Sequence, residues 1–195
     1  MKRAWIWPML LMLLLCGCGA GEMREAAPAQ PEEAAAEEAP QISQEEILSA
    51  YQRADAACGW FTLEPLPDSG ERVTVDGTVY RKVKAEGMEE LEDLRTYLNS
   101  VFSPELTERL LSGGPPTYRE IEGALYVTGQ GRLRDPDKGS VQIEIEQVEA
   151  GSYLVNVTVD LLDRDGVTVT GLESWSFPYV YTGDRWVFTD FKTVY

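Results

Sequence analysis

Three cysteines, 33 acidic side chains and no histidine set the chemistry open to this 195-residue chain. Without imidazole it lacks the commonest general base, the usual orienting partner of a serine or cysteine nucleophile, and the commonest zinc ligand. Paired carboxylates remain, and these suffice for glycoside hydrolysis when two are held a few ångströms apart. Yet so many acids bring pairs together by chance, and no motif singles one out. Asp135, Asp137 and Ser140, with turns at Gly131 and Gly139, offer oxygen atoms of the kind calcium prefers. Pro136 and Lys138 interrupt that spacing, and the glutamate that closes an EF-hand loop is missing, so an ordinary acidic turn is expected. The residues favour a domain that binds rather than catalyses, with no cofactor and no metal.

The cysteines have a different reading. Lys2 and Arg3 precede an apolar run from Trp5 to Leu15, broken only by Pro8 and too short to span a bilayer as a helix. Leu15-Cys16-Gly17-Cys18 follows and resembles the bacterial lipobox. That motif implies cleavage before Cys18 and transfer of a diacylglyceryl group to its thiol, which is why no other residue type serves there. Residues 1–17 are then a signal peptide, and the chain is expected at the outer face of a bacterial cell membrane, touching lipid through this anchor alone. Cys16 leaves with the leader and Cys58 is left without an intramolecular partner, which rules out a thiolate metal cluster. On the apolar side of a helix, Cys58 reads as a small hydrophobic side chain.

Residues 18–41 carry Cys18 and then little but Ala, Glu, Pro and Gln, a composition unable to bury enough apolar surface to offset the entropy of ordering. Glu22, Glu25, Glu32, Glu33, Glu37 and Glu38 against Arg24 make it a self-repelling tether. The formal net charge is −16, and losing Lys2 and Arg3 makes the mature chain more acidic still. Such a surface repels phosphates, and no basic run offsets it, so nucleic acid is not an expected partner.

A single domain over 42–195 must position whatever acts. Ser43 with Glu46 forms a capping box, and Ile47, Leu48, Tyr51, Ala54 and Cys58 recur at helical spacing, predicting a helix over 44–58 that Gly59 ends. Asp76-Gly77 between two β-rich runs predicts a hairpin. Leu91, Leu94, Leu98, Val101 and Phe102 predict a second helix, and Ser103-Pro104 starts a third that Gly113-Gly114-Pro115-Pro116 terminates. From residue 118 onward everything reads as strand. Glu122-Gly123 makes a second hairpin, Val141, Ile143 and Ile145 alternate with Gln142, Glu144 and Glu146, and Asp165-Gly166 and Gly183 turn the chain before a last strand over 186–191. The class is α+β, with N-terminal helices packed on a mainly antiparallel meander.

Asp76-Gly77-Thr78-Val79-Tyr80 and Glu122-Gly123-Ala124-Leu125-Tyr126 echo one another, as two hairpins of one design would. Trp60, Phe61, Trp175, Phe177, Tyr179, Tyr181, Trp186 and Phe188 are dense for one domain. They fit a core, or else a recognition face such as a curved cystatin-like or nuclear-transport-factor-like sheet presents to a small ligand or wall fragment.

Several segments in order resemble the IseA-type DL-endopeptidase inhibitors, secreted proteins of Gram-positive bacteria that restrain cell-wall autolysins. They are Cys58-Gly59-Trp60-Phe61, Val75 to Tyr80, Asp93 to Leu98 running into Phe102 to Leu106, Tyr118 to Val127, and Gly183-Asp184-Arg185-Trp186. The resemblance implies a two-lobed α+β domain whose acidic loops block the cleft of NlpC/P60-type cysteine peptidases. Asp135, Asp137, Asp163 and Asp165, on two turns of the sheet, are the candidate partner-binding residues. As plain turn residues they need no such role.

Overall fold

The computed structural model describes residues 39–113, 116–129 and 131–194, of which all belong to one compact unit. The expected signal peptide, Cys18 and nearly all of the expected tether lie outside the described residues. The order of elements is α1 (Gln44–Thr62), β1 (Asp68–Val75), β2 (Thr78–Val83), α2 (Leu91–Val101), α3 (Pro104–Leu111), β3 (Tyr118–Ile121), β4 (Ala124–Val127), β5 (Lys138–Glu149), β6 (Ser152–Leu162), β7 (Val169–Tyr181) and β8 (Trp186–Phe188). The class is α+β, and the strands form two antiparallel sheets, β1-β2-β4-β3 and the meander β5-β6-β7-β8. No described helix is long and apolar enough to cross a membrane.

Local chemistry sets the helix starts. The Ser43 hydroxyl accepts the Glu46 N–H (3.2 Å), while the Glu46 carboxylate accepts the Ser43 N–H (2.8 Å), satisfying two amides that the first turn leaves unpaired. At α2 the Asp93 carboxylate accepts the Glu90 N–H (2.8 Å). Ser103 caps α3 with Pro104 as its first residue, and its own N–H donates to the Phe188 carbonyl (2.9 Å), joining the α2–α3 elbow to β8.

Two expected boundaries move. α1 does not stop at Gly59 but runs to Thr62, and the Gly59 carbonyl accepts from Leu63 (2.7 Å) and Glu64 (3.0 Å). Tertiary packing outweighs the roughly 1 kcal/mol that glycine costs inside a helix. Trp60 lies against Tyr97 (centroids 5.1 Å apart), and Phe61 meets Tyr118 edge-on at the same distance. The last strand is likewise shorter than expected, ending at Phe188. There the Asp190 carboxylate accepts the Phe191 N–H (3.1 Å), and the bent chain delivers Phe191 into the core, 4.5 Å from Phe177 and 5.1 Å from Phe188.

The two hairpins that echo one another in sequence are neighbours in the first sheet, through β2 and β4. Each turn pairs an acidic residue and a glycine at positive φ, Asp76 and Gly77 (52° and 79°) and Glu122 and Gly123 (53° and 76°). That conformation is the type I′ turn, whose twist suits a two-residue hairpin, so shared turn geometry accounts for the echo.

A single core joins both sheets. Ile47, Tyr51, Ala54 and Cys58 of α1, Leu94 and Leu98 of α2, Leu125 and Val127 of β4, and Val155, Val157 and Val159 of β6 are all buried in it. The opposite face of the meander is wet, with Thr158 bonded to Ser174 (3.2 Å) and Ser176 to Asn156 (2.6 Å) across strands. Most of the dense aromatics are core: Phe177, Tyr179 and Phe188 are buried, and Trp186 packs among Tyr153, Tyr179 and Tyr181 with each ring 5.5 Å away.

Candidate functional site

Antiparallel pairing brings the two acidic turns to one end of the second sheet. Residues 135–138 enter β5 where β6 finishes, with Lys138 opposite Leu161, and the Leu162 N–H donates to the Asp137 carbonyl (2.8 Å). Immediately beyond, residues 163–168 turn β6 into β7, closed by the bond from the Asp163 N–H to the Thr168 carbonyl (2.8 Å). Asp135, Asp137, Asp163 and Asp165 therefore share one end of the meander.

Their carboxylates are not equivalent. Asp165 is committed to its turn, accepting the Val167 and Thr168 N–H groups (both 2.9 Å) and the Thr168 hydroxyl (2.6 Å). The Thr168 hydroxyl, then those backbone donors, hold it down to about 2, well below the usual carboxylate value. Asp135 accepts the Asp137 N–H (3.0 Å), and Asp163 the Arg164 N–H (2.8 Å). Among the described residues the Asp137 carboxylate has no hydrogen bond or ion pair, which leaves it the member of the four most available to a partner. Arg134 and Arg164 stand among these acids, while the ammonium of the part-buried Lys138 is paired with Glu173.

Exposed apolar side chains surround the acids. Leu133 is 92% exposed, Val167 79%, and Val169 and Leu172 also project into solvent. Scattered apolar residues on a surface are ordinary, but several clustered at one end with unpaired charge resemble the composition of a binding patch. The sequence located the acids through turn signals. It could not locate Leu133, Val167 or Leu172, because exposure depends on which strand edge and which turn each occupies.

Beside this end lies a groove of about 870 Å³. α1 packs Tyr51 against Phe177 (6.3 Å) and Phe191 (5.5 Å), on the β7 side of the meander, and so leaves Val141 and Ile143 of the edge strand β5 only half covered. Two segments wall the gap. The loop after α1, with Leu63, Glu64, Pro65 and Pro67, is fixed by Tyr118, whose hydroxyl accepts the Leu66 N–H (2.9 Å) and donates to the Trp60 carbonyl (3.2 Å). Burial pushes this phenol well above its ordinary value, so it remains a neutral donor. A strap over 131–134 forms the other wall, bonded from the Arg132 N–H to the Thr62 carbonyl (3.0 Å).

No protein-family model matches this chain, and no curated protein matches it by sequence.

Of the aromatic side chains Trp175, Tyr179 and Trp186, Trp175 lines a small cavity of about 150 Å³ together with Lys138, Glu173 and Lys192. Tyr179 is buried and stacks on Trp186, while Trp175 sits beneath the Lys192 ammonium, 3.2 Å from the ring centroid, in a contact of the cation–π kind. Among the described residues no group of three or more acidic or cysteine side chains is placed to hold a metal ion.

Proposed function

We propose that this chain is a lipid-anchored protein of the outer face of a bacterial cell membrane, which binds and inhibits peptidoglycan DL-endopeptidases of the NlpC/P60 type. The observation that carries the reading is the meeting of both acidic turns at one end of the meander, with exposed Leu133 and Val167 beside them. An inhibitor of this kind needs no catalytic group, only a surface that fills a cleft. Complementary charge raises the rate of encounter and the selectivity for a basic rim, and apolar contacts supply most of the affinity. The lipid on Cys18 confines the action to wall close to the membrane.

The test is hydrolysis of peptidoglycan by a purified NlpC/P60 endopeptidase, with the chain at stoichiometric and at tenfold ratio. Dose-dependent inhibition is expected. The variant with Asp135, Asp137, Asp163 and Asp165 all changed to Asn is expected to inhibit more weakly, and full inhibition by it removes the assignment of these four. Failure to inhibit several such enzymes removes the inhibitor reading.

A second reading is favoured by the groove beside α1: a module that binds a small ligand or wall fragment and inhibits nothing.

A further inference from the structure

The two sheets have four outer edges, and three of them are blunted. β3 has only four residues and β8 three, and β8 is further covered where Phe102 bridges to Phe188. β1 is broken by an irregularity between Asp68 and Arg72, with Gly70 at φ 82° inside it. β5 differs. From Val141 to Gln147 its pairing with β6 runs without a break, and its other side is unpaired. Among the described residues, no backbone bond outside that ladder reaches this stretch. Every second residue therefore presents an N–H and a C=O outward, a template for one more strand.

The two faces of β5 define what such a strand carries. On the inner face Val141 and Ile143 line the groove and are only half covered, as is Ile145 beyond them. Side chains of an added strand that stand beside these three enter the groove, so every second one is apolar. On the wet face Gln142, Glu144 and Glu146 are all exposed. Glu144 has no hydrogen bond or ion pair among the described residues, and Glu146 accepts only a long bond from Asn156 Nδ2 (3.4 Å). Basic side chains opposite them complete the pattern. Two copies of this chain joined through the edge would instead bring the glutamates of one β5 next to those of the other, and like charges on paired strands repel. The chain's own segment 19–38, with six glutamates and one arginine, is repelled in the same way. We propose that β5 is a docking edge for an extended segment of another protein, alternating apolar and basic residues. Main-chain bonds supply the affinity and the alternating side chains the specificity. This surface is separate from the acidic turns and serves whether or not the chain inhibits a peptidase.

The experiment is calorimetric titration of the full chain, in micelles of an uncharged detergent, with three end-blocked peptides. The first is Lys-Val-Lys-Val-Lys-Val-Lys, the second the same sequence with every backbone amide N-methylated, and the third has glutamate in place of each lysine. Saturable binding of the first is expected, with hydrogen exchange slowed within residues 141–147. The N-methylated peptide keeps charge and side chains but cannot extend the sheet, and is expected to bind at least about tenfold more weakly. The glutamate peptide is expected not to bind. Glu144→Lys with Glu146→Lys, both on the exposed face, is expected to exchange the preference, taking the glutamate peptide and releasing the lysine one. Absence of saturable binding, equal binding of the N-methylated peptide, slowed exchange elsewhere than β5, or an unchanged preference in the folded double variant each overturns the proposal. So does a dimer of the unaltered chain, in sedimentation, that the double variant abolishes.

Discussion

Gly131 lies directly against the backbone carbonyl of Leu63, so close that a Cβ at position 131 would occupy the carbonyl's space. With no flexible side chain there to yield, the strap itself must move if the glycine is replaced. Gly131→Ala is expected to lower stability by about 1–3 kcal/mol, the usual cost of forced overpacking. Urea denaturation measures the loss. The same displacement carries Arg132 and Leu133, which wall the groove, away from α1.

The two type I′ turns differ in how well their first residue tolerates positive φ. Asp76 is of a type enriched in the left-handed region, whereas Glu122 at φ 53° is not. Glu122→Asn is expected to stabilise the domain by about 1 kcal/mol, since short polar side chains bear this conformation at lower cost. An unchanged or lowered melting temperature would show that the glutamate gains something in place that its backbone geometry does not reveal.

Asp165 makes the β6–β7 turn sensitive to acid. Its carboxylate titrates near 2 in the folded chain, against about 3.9 in an unfolded one. A depressed value means that the stabilisation is complete above about pH 4 and disappears as pH falls through 2. Asp165→Ala is therefore expected to melt below the unaltered chain at pH 6, with the gap closing between pH 4 and 2. A gap independent of pH in that range would count against a role for the charge.

Cys58 is buried in the core, and burial pushes its thiol up to about 11. Thiolate is the reactive form, so iodoacetamide at pH 8 is expected to leave Cys58 unmodified in the native chain and to alkylate it rapidly in urea. Mass spectrometry of the peptide containing Cys58 separates this result from any reaction at the N-terminal cysteines.

Signals confined to a few neighbouring residues were legible in the sequence. The Ser43 capping box, the Ser103-Pro104 start, both I′ hairpins and the alternation of Val141, Ile143 and Ile145 all act locally, and each stands where expected. What was not legible depends on distant partners. Gly59 reads as a stop until Trp60 and Phe61 find Tyr97 and Tyr118, and a strand over 186–191 is reasonable until Asp190 turns Phe191 inward. Alternation also cannot say which strands pair, so the division into two sheets was hidden. For the acidic end the position is intermediate. Turn chemistry gave Asp135, Asp137, Asp163 and Asp165, and a simple meander brings their turns together, but the strap held by Gly131 has no local signature beyond a glycine.

The pairing within the two sheets is very uneven. β6 and β7 stay in register from Ser152 with Val180 to Leu161 with Gly171, whereas among the described residues the two hairpins of the other sheet are joined only at Arg81 with Val127 and Lys82 with Tyr126. Backbone amides at a short seam open more readily than those inside a long ladder. Mechanically, the seam is the domain's weakest link: under a pulling load the first sheet would part into two intact hairpins while the meander still held, giving a soft element in series with a stiff one.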